Sequence, residues 1–389
     1  MWTWSFEKFN IIMNLKIIPS PCYVIEESKL RHNLETLSHV HREAGVEIIA
    51  AFKGFAMWKT FPIVKEYIGG ATASSLNEAL LAHEEMKCRP HTYAPVYLDN
   101  EFPEIIRISS HITFNSLSQY HKFFSIIQSH GHSVSVGLRV NPGYSPVKTN
   151  LYNPAIKGSR LGIRVEELND KLPEGVEGLH FHALCENNSY EFEKVLEHFV
   201  DRYQKFFSQI KWVNFGGGHL ITHNDYDTKH LISVLKNFKQ KYNLHVILEP
   251  GAAFAWETGC LVSTVQDIME SGEIKTAMLD VSFTAHMPDC LEMPYKPRIK
   301  GATDEIKGKP VYRMGGMSCL AGDFMGNWSF DHELKPGDKI VFEDMIHYTM
   351  VKTNMFNGVA HPSIGLWSAD GKFQLFRKFN YGDYKNRLS

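Results

Sequence analysis

Long apolar runs are missing from this 389-residue chain. No stretch comes near the ~20 residues that a bilayer-spanning helix needs. Cysteine is sparse, six in all with no Cys-x-x-Cys pair and no regular spacing. That excludes a disulfide framework and is the usage of free thiols in a reducing cytoplasm. An excess of one charge is missing as well. With 41 Lys and Arg against 43 Asp and Glu, the formal net charge is -2, and the basic residues are dispersed. No field is set up for nucleic acid or an acidic membrane. There is no solenoid repeat, no low-complexity tract and no recognised zinc spacing. The N-terminus carries Trp2, Trp4, Phe6, Glu7, Lys8 and Phe9 with no small-residue cleavage site, so it does not read as a signal peptide. Met13 precedes the first segment with strand or helix pattern, and residues 1–12 are expected to be an N-terminal extension.

What is present is the texture of a soluble globular protein, 43% hydrophobic and 22% charged, too long for one ordinary domain. Short apolar runs at 46–52, 70–74, 91–95, 112–115, 133–140, 178–183, 212–215 and 246–248 predict eight strands. Stretches of helical period lie between most of them, at 57–67, 75–87, 116–129, 191–209 and 228–242. Strand alternating with helix implies parallel pairing with the helices outside. Eight units in roughly 205 residues fit a (β/α)8 TIM-type barrel, with a doubly wound open sheet as the competitor. After Gly251 the runs at 260–266, 276–283, 310–314, 339–342, 347–352 and 373–377 are short, alternating and separated by turns such as Lys335-Pro336-Gly337-Asp338. The expected fold is therefore α/β plus all-β: a barrel over 28–262, and a C-terminal β-sandwich or β-barrel domain over 263–389. The second domain also takes in an N-terminal strand from 13–27.

A barrel carries its chemistry at the C-terminal ends of its strands. The first barrel strand ends Ala50-Ala51-Phe52-Lys53-Gly54. A lysine there is either a strand end reaching solvent or an amine nucleophile whose ammonium is disfavoured by desolvation. His180 and His182 stand two apart on the sixth strand and share a face. A metal reading needs a further ligand, and Cys185 and Glu186 nearby make no zinc pattern, so no metal is expected. The seventh strand runs into Gly216-Gly217-Gly218-His219, either a bare glycine turn or a loop whose backbone a phosphate can approach. The eighth ends Glu249-Pro250-Gly251, where the carboxylate is a salt-bridge partner or the partner of a pyridine nitrogen. In the β domain, small residues surround reactive ones in Gly315-Gly316-Met317-Ser318-Cys319-Leu320-Ala321-Gly322-Asp323. The same holds for His347-Tyr348-Thr349 and Phe356-Asn357-Gly358. Cys319 is either an inert buried thiol or a reactive one.

In this order, Lys53, His182, the triple glycine, Glu249-Pro250-Gly251 and Cys319-x-x-x-Asp323 resemble the fold-type III pyridoxal-phosphate (PLP) decarboxylases. That family includes the ornithine, arginine and diaminopimelate decarboxylases, and the likeness runs from about residue 20 to residue 360. It is strongest toward the branch acting on the carboxylated polyamines carboxynorspermidine and carboxyspermidine. Pro19-Ser20-Pro21-Cys22-Tyr23-Val24, Asn141-Pro142-Gly143-Tyr144-Ser145, Gly158-Ser159-Arg160-Leu161-Gly162 and Gly178-Leu179-His180-Phe181-His182-Ala183-Leu184-Cys185-Glu186 carry that likeness.

The resemblance implies PLP as cofactor, bound as an imine on Lys53, with His182 stacked on its ring and Glu249 at the ring nitrogen. It places Gly216, Gly217, Gly218, Gly251 and Tyr348 at the phosphate. Cys319, as proton donor, and Asp323 reach the active site from the partner subunit of a homodimer. An extended polyamine tail needs acidic and aromatic partners, for which Asp280, His286 and Asp289 are candidates, each otherwise a surface residue of a β hairpin; Glu249 and Asp323 complete the expected substrate-binding set. Ornithine-type enzymes carry an acidic residue where this chain has Leu320, and an arginine where it has Ala252. His182-Ala183-Leu184-Cys185 replaces their His-x-Gly-Ser. These departures fit the polyamine branch. Diaminopimelate decarboxylation is the rival activity; a non-catalytic PLP-binding protein lacks a β domain, and a cofactor-free Schiff-base aldolase needs no Glu249 beside a glycine loop.

Overall fold

The computed structural model of the chain describes residues 13–130 and 134–389. The extension expected over 1–12 and the first residue of the strand expected at 133–140 lie outside the described residues. Contacts divide the chain into two compact units: Asn33–Phe254, and the described residues before it together with Ala255–Ser389.

The first strand, β1 (Cys22–Glu26), belongs to the second of these units. Eight strands then close a parallel barrel in chain order: β2 (Glu47–Ala51), β3 (Gly70–Ala73), β4 (His91–Tyr93), β5 (His111–Phe114), β6 (Ser135–Arg139), β7 (Val176–His180), β8 (Trp212–Asn214) and β9 (His245–Leu248). Closure runs through the pairs Glu47↔Ile247 and Ile48↔Leu248 of β2 and β9. Each falls on a run expected from the sequence, because a strand covered on both faces shows as a short continuous apolar segment. Inside the barrel the Trp212 indole packs with Ile49 and Ile247. It lies across β6 and β7, where a side-chain carbon on Gly137 or Gly178 would stand 2.3 Å or 2.1 Å from the indole.

The outer helices follow their caps. Asn188 opens Ser189–Tyr203 in a capping box with Glu191. Asp227 caps Thr228–Tyr242 through the His230 amide, and Leu231, Val234, Leu235 and Phe238 form its buried stripe. Three expected helices are less regular than their period suggests; the 191–209 stretch is α-helix only to Tyr203 and 3₁₀ over Gln204–Gln209. The 57–67 stretch is a 3₁₀ turn (Trp58–Thr60) followed by Phe61–Lys65, with proline in the first turn. The 75–87 stretch widens after Leu81 into a π turn ending at Lys87, whose φ is 53°.

The second unit holds a nine-stranded mixed sheet. To β1 it adds β10 (Gly259–Ser271), β11 (Ile274–Leu279), β12 (Ala302–Thr303), β13 (Val311–Gly315), β14 (Phe324–Phe330), β15 (Lys339–Glu343), β16 (Ser363–Trp367) and β17 (Phe373–Arg377). The long strand β10 changes partners along its length. Its first half pairs with β1 and β15, and beyond a register shift at Val265/Asp267 its second half pairs with β11. The N-terminal strand expected in the β domain runs antiparallel to β10 and parallel to β16.

Two expected strands are corrected. The segment 347–352 is no strand; it holds the short helix Tyr348–Val351, since six residues of mixed polarity cannot separate the two periods. The run at 276–283 ends as a strand at Leu279. Ser282, accepting from the Ala285 amide, then starts the helix Phe283–His286. Strands β12, β14 and β16 have no counterpart among the expected runs.

Candidate active site

Lys53 sits in the turn that follows β2, with Gly54 and Phe55 donating back to the Ala51 carbonyl. Its Nζ lies 3.4 Å from Nε2 of His182, just beyond β7. The other ring nitrogen of His182 is fixed by the backbone, because the Gly217 amide donates to Nδ1 at 2.8 Å. An amide can only donate, so Nδ1 carries a lone pair and the neutral ring carries its hydrogen on Nε2, facing Lys53. Burial, reinforced by Lys53 and Arg139, holds His182 well below the usual histidine range. Nε2–H then requires the lysine nitrogen to accept, which only the neutral amine does. Burial pulls Lys53 in that direction, opposed by Glu249 and assisted by Arg139.

Glu249 follows β9 and is buried. Asn214, at the end of β8, accepts from the Gly216 amide at 2.8 Å, which orients its amide so that Nδ2 donates to Glu249 Oε1 at 2.7 Å. Burial raises the Glu249 carboxyl, while the Asn214 bond and the Lys53 charge lower it. In the protein alone, burial drives both Lys53 and Glu249 toward their neutral forms.

The triple glycine has a steric cause. Gly218 (φ +85°) passes the Leu184 carbonyl oxygen so closely that a side-chain carbon would stand 2.2 Å from it, and one on Gly217 would stand 2.2 Å from the Glu249 carbonyl oxygen. Two of the three glycine amides expected to face a phosphate are engaged within the chain, by Asn214 and His182. Gly251 lies against the Lys53 turn, 2.9 Å from where a side-chain carbon of Gly54 would be.

In the sheet unit, Cys319 is exposed on the loop between β13 and β14, and its amide donates to Asn357 Oδ1 at 2.8 Å. Asp323 is buried. One of its carboxylate oxygens accepts from the Phe283 and Thr284 amides (2.7 and 3.3 Å), the other from Ser318 (3.0 Å). The Asp280 carboxylate is bound into the sheet by the Ser20 hydroxyl (2.7 Å), the Ser263 hydroxyl (2.8 Å) and the Thr264 amide (2.9 Å). His286 and Asp289 stand on consecutive short helices, Phe283–His286 and Pro288–Glu292. His286 is fully buried, accepts from the Ser282 amide, and is pulled by burial to about 4. Asp289 Oδ2 accepts from the Tyr295 and Thr349 hydroxyls at 3.0 and 2.7 Å. Its buried Oδ1 has no hydrogen-bond partner among the described residues. Tyr348 opens its helix half-buried.

The structure thus gathers Lys53, His182, Gly216, Gly217, Gly218, Glu249 and Gly251 at one end of the barrel. In the sheet unit it gathers Cys319 with Asp323, and His286 with Asp289, while Asp280 is taken up by the sheet itself. Sequence reasoning missed Asn214 and Arg139, and singled out the stretch Phe356-Asn357-Gly358 without giving Asn357 a role. Arg139 is buried at the end of β6, donates to the His182 carbonyl at 3.2 Å, and lies 4.7 Å over the Tyr93 ring. A lone arginine closing the apolar run Val136-Gly137-Leu138 was its signal. An amine that burial draws toward its free form, a neutral imidazole beside it, and a buried carboxylate oriented by Asn214 suit pyridoxal phosphate. Among the described residues no group of three His, Cys, Asp or Glu side chains is placed to hold a metal ion, and no helix is long and apolar enough to cross a membrane.

An eight-stranded parallel barrel with that set at its rim, followed by a mixed sheet, defines the class of barrel PLP enzymes. The chain belongs to the family described as pyridoxal-dependent decarboxylase, C-terminal sheet domain, whose model matches residues 22–346; it is a PLP-dependent decarboxylase. It is 50% identical to the carboxyaminopropylagmatine decarboxylase of Synechocystis sp., over 97% of this chain and 98% of that protein. It is 45% identical to the carboxynorspermidine/carboxyspermidine decarboxylase of Campylobacter jejuni, over 95% and 98%. The solved structure of carboxynorspermidine decarboxylase from that organism, complexed with norspermidine, superposes with a TM-score of 0.88 at 44% identity, covering 95% of this chain and 100% of that one. A diaminopimelate decarboxylase from Methanocaldococcus jannaschii is far less similar, at 23% identity.

Proposed function

We propose that this chain decarboxylates carboxynorspermidine and carboxyspermidine, forming norspermidine and spermidine in polyamine biosynthesis. The observation that carries the chemistry is the Lys53–His182 pair, in which the Gly217 amide dictates the histidine tautomer and thereby favours a free lysine amine. Near-full-length similarity to enzymes named for carboxylated polyamines supports the substrate class.

Lys53 offers the amine that carries the cofactor, and Gly216, Gly217, Gly218, Gly251 and Tyr348 line its phosphate. Glu249, oriented by Asn214, would hold a proton at the pyridine nitrogen of the bound cofactor, and neutral His182 would hold its ring without adding a competing charge. Bound pyridoxal phosphate supplies an electron sink for the pair released when the bond from Cα to the carboxylate breaks. Cys319 then delivers a proton to Cα, on a loop held by Asp323 and contributed by the partner subunit of a homodimer. The unpartnered oxygen of Asp289, beside His286, receives a cationic group of the polyamine tail. Among the described residues that buried oxygen has no hydrogen-bond partner. A cytoplasmic location suits a chain whose cysteines form no disulfide among the described residues.

A second reading is favoured by the 50% identity to the Synechocystis enzyme: the tail accepted is that of carboxyaminopropylagmatine, which ends in a guanidinium. The decisive experiment is a CO2-release assay over carboxynorspermidine, carboxyspermidine, carboxyaminopropylagmatine, diaminopimelate and ornithine. The first two differ by one methylene, a difference worth about 1–3 kcal/mol, so they should turn over within roughly 200-fold of each other. Fastest turnover of carboxyaminopropylagmatine establishes the second reading, and fastest turnover of diaminopimelate removes both. A Lys53→Ala protein that keeps the visible absorbance of the wild type would sink the cofactor role of Lys53.

A further inference from the structure

The segment Phe356-Asn357-Gly358 has no part in the reading above, yet its backbone is the most constrained around Cys319. Asn357 holds φ 56° and ψ 16°, a left-handed conformation that side-chain-bearing residues adopt at a cost and that asparagine tolerates best. Gly358 follows at φ +72°, with the Tyr384 ring 3.4 Å from where its side-chain carbon would be. From this turn the Asn357 side chain reaches Cys319, 38 residues away in sequence, and accepts its amide hydrogen at 2.8 Å.

Two further side chains join the same loops. Asn354 donates to the Thr284 carbonyl at 3.0 Å, while its own amide donates to the Ala285 carbonyl at 2.8 Å. Asp323 ties the Cys319 loop to the Phe283 and Thr284 amides. Three loops (281–286, 316–323 and 354–358) therefore close a ring through one carboxylate and two carboxamides. Both partners of the Asn357 bond are exposed. In the single chain water can satisfy the Cys319 amide almost as well, so the bond by itself adds little to stability there. Its product is direction: with the Cys319 amide pinned, the Cα–Cβ bond that carries the thiol leaves the loop along one line.

We propose that Asn357 is a positioning residue that sets the aim of the Cys319 thiol for proton delivery. The proposal rests on the reading of Cys319 as proton donor. The test uses PLP-loaded full-length enzyme and three variants. Asn357→Gly keeps the left-handed backbone and removes the acceptor, Asn357→Asp keeps both, and Cys319→Ala removes the thiol. With carboxynorspermidine as substrate, kcat and KM are measured beside the rate at which iodoacetamide alkylates Cys319, followed by peptide mass spectrometry.

Asn357→Gly is expected to lower kcat about fivefold with KM within about twofold, the weight of one backbone hydrogen bond. It should also raise the alkylation rate by a similar factor, and Asn357→Asp should restore both. Wild-type turnover and alkylation in Asn357→Gly overturns the proposal, and so does an Asn357→Asp enzyme no better than Asn357→Gly. Undiminished kcat in Cys319→Ala refutes the donor reading instead; the alkylation rates then still report whether Asn357 holds the loop.

Discussion

At the end of the barrel opposite the candidate site, His91 begins β4 and pairs in register with His111 of β5, their rings 3.8 Å apart between centroids and tilted by 34°. His91 is 8% exposed, and its Nδ1 has no partner among the described residues. Around it stand His111, His245 and Glu47, the last accepting from His245 at 2.8 Å. Burial first, and then the neighbouring His111, push His91 down to about 3. An unfolded histidine titrates near 6.5. As the pH falls below that value the unfolded chain takes up a proton that the folded barrel refuses, so stability declines from about pH 6.5 and levels off only near pH 3. For this single group the loss is about 2 kcal/mol at pH 5 and about 3 kcal/mol at pH 4. Replacing His91 with phenylalanine keeps a ring against His111 and removes the titration. Urea unfolding at pH 7.5 and pH 5.0 should show the variant losing about 2 kcal/mol less than the wild type on acidification. Equal losses in the two proteins would show that His91 is hydrated or protonated in the folded barrel, and the reasoning would fail.

Three further perturbations have defined outcomes. Gly217→Ala places a carbon 2.2 Å from the Glu249 carbonyl oxygen; it should destabilise the barrel by about 1–3 kcal/mol and weaken PLP binding in a spectrophotometric titration, and unchanged binding would contradict the glycine packing. Tyr203 donates one hydroxyl to the Asn141 and Ile163 carbonyls at 2.9 and 3.0 Å, so Tyr203→Phe should cost about 1–3 kcal/mol in a thermal melt, and an unshifted melting temperature would mean that water replaces the hydroxyl. Asp280→Asn should lower stability by a similar amount, because three donors converge on that carboxylate, and leave KM unchanged; a rise in KM at constant stability would return Asp280 to the substrate.

Much of the barrel was legible because its information is local. Most barrel strands are largely apolar runs a few residues long, and a helix such as Thr228–Tyr242 carries its own cap and stripe in Asp227 and Leu231 to Phe238. The sheet unit was harder to read. The strand β14 is half exposed, and β16 is recognised as a strand only through its pairing with β1 and β17. The helix at Tyr348 and the one begun by Ser282 are four residues each, too short for periodicity to decide. Within the candidate site, residues marked by an unusual type in an apolar setting stood out, as Lys53 and the triple glycine did. Asn214 did not, since nothing in its immediate sequence separates an orienting amide from a surface one, and Asn357 was marked only by the small residues around it.

By itself the sequence determined which segments become the eight barrel strands, and the ordered motifs that identify a PLP decarboxylase, because both are written in short contiguous stretches. Only the tertiary structure decided the states of those residues. The tautomer of His182 depends on an amide 35 residues away, and the orientation of Glu249 on an asparagine 35 residues before it. Burial, which no single residue carries, drives Lys53 toward the free amine. The carboxylate of Asp280 takes three donors, two from β10 and one from the segment before β1, and the Cys319 backbone is held through Asn357. Charge state and aim depend on the dielectric and on partners that folding brings from elsewhere in the chain.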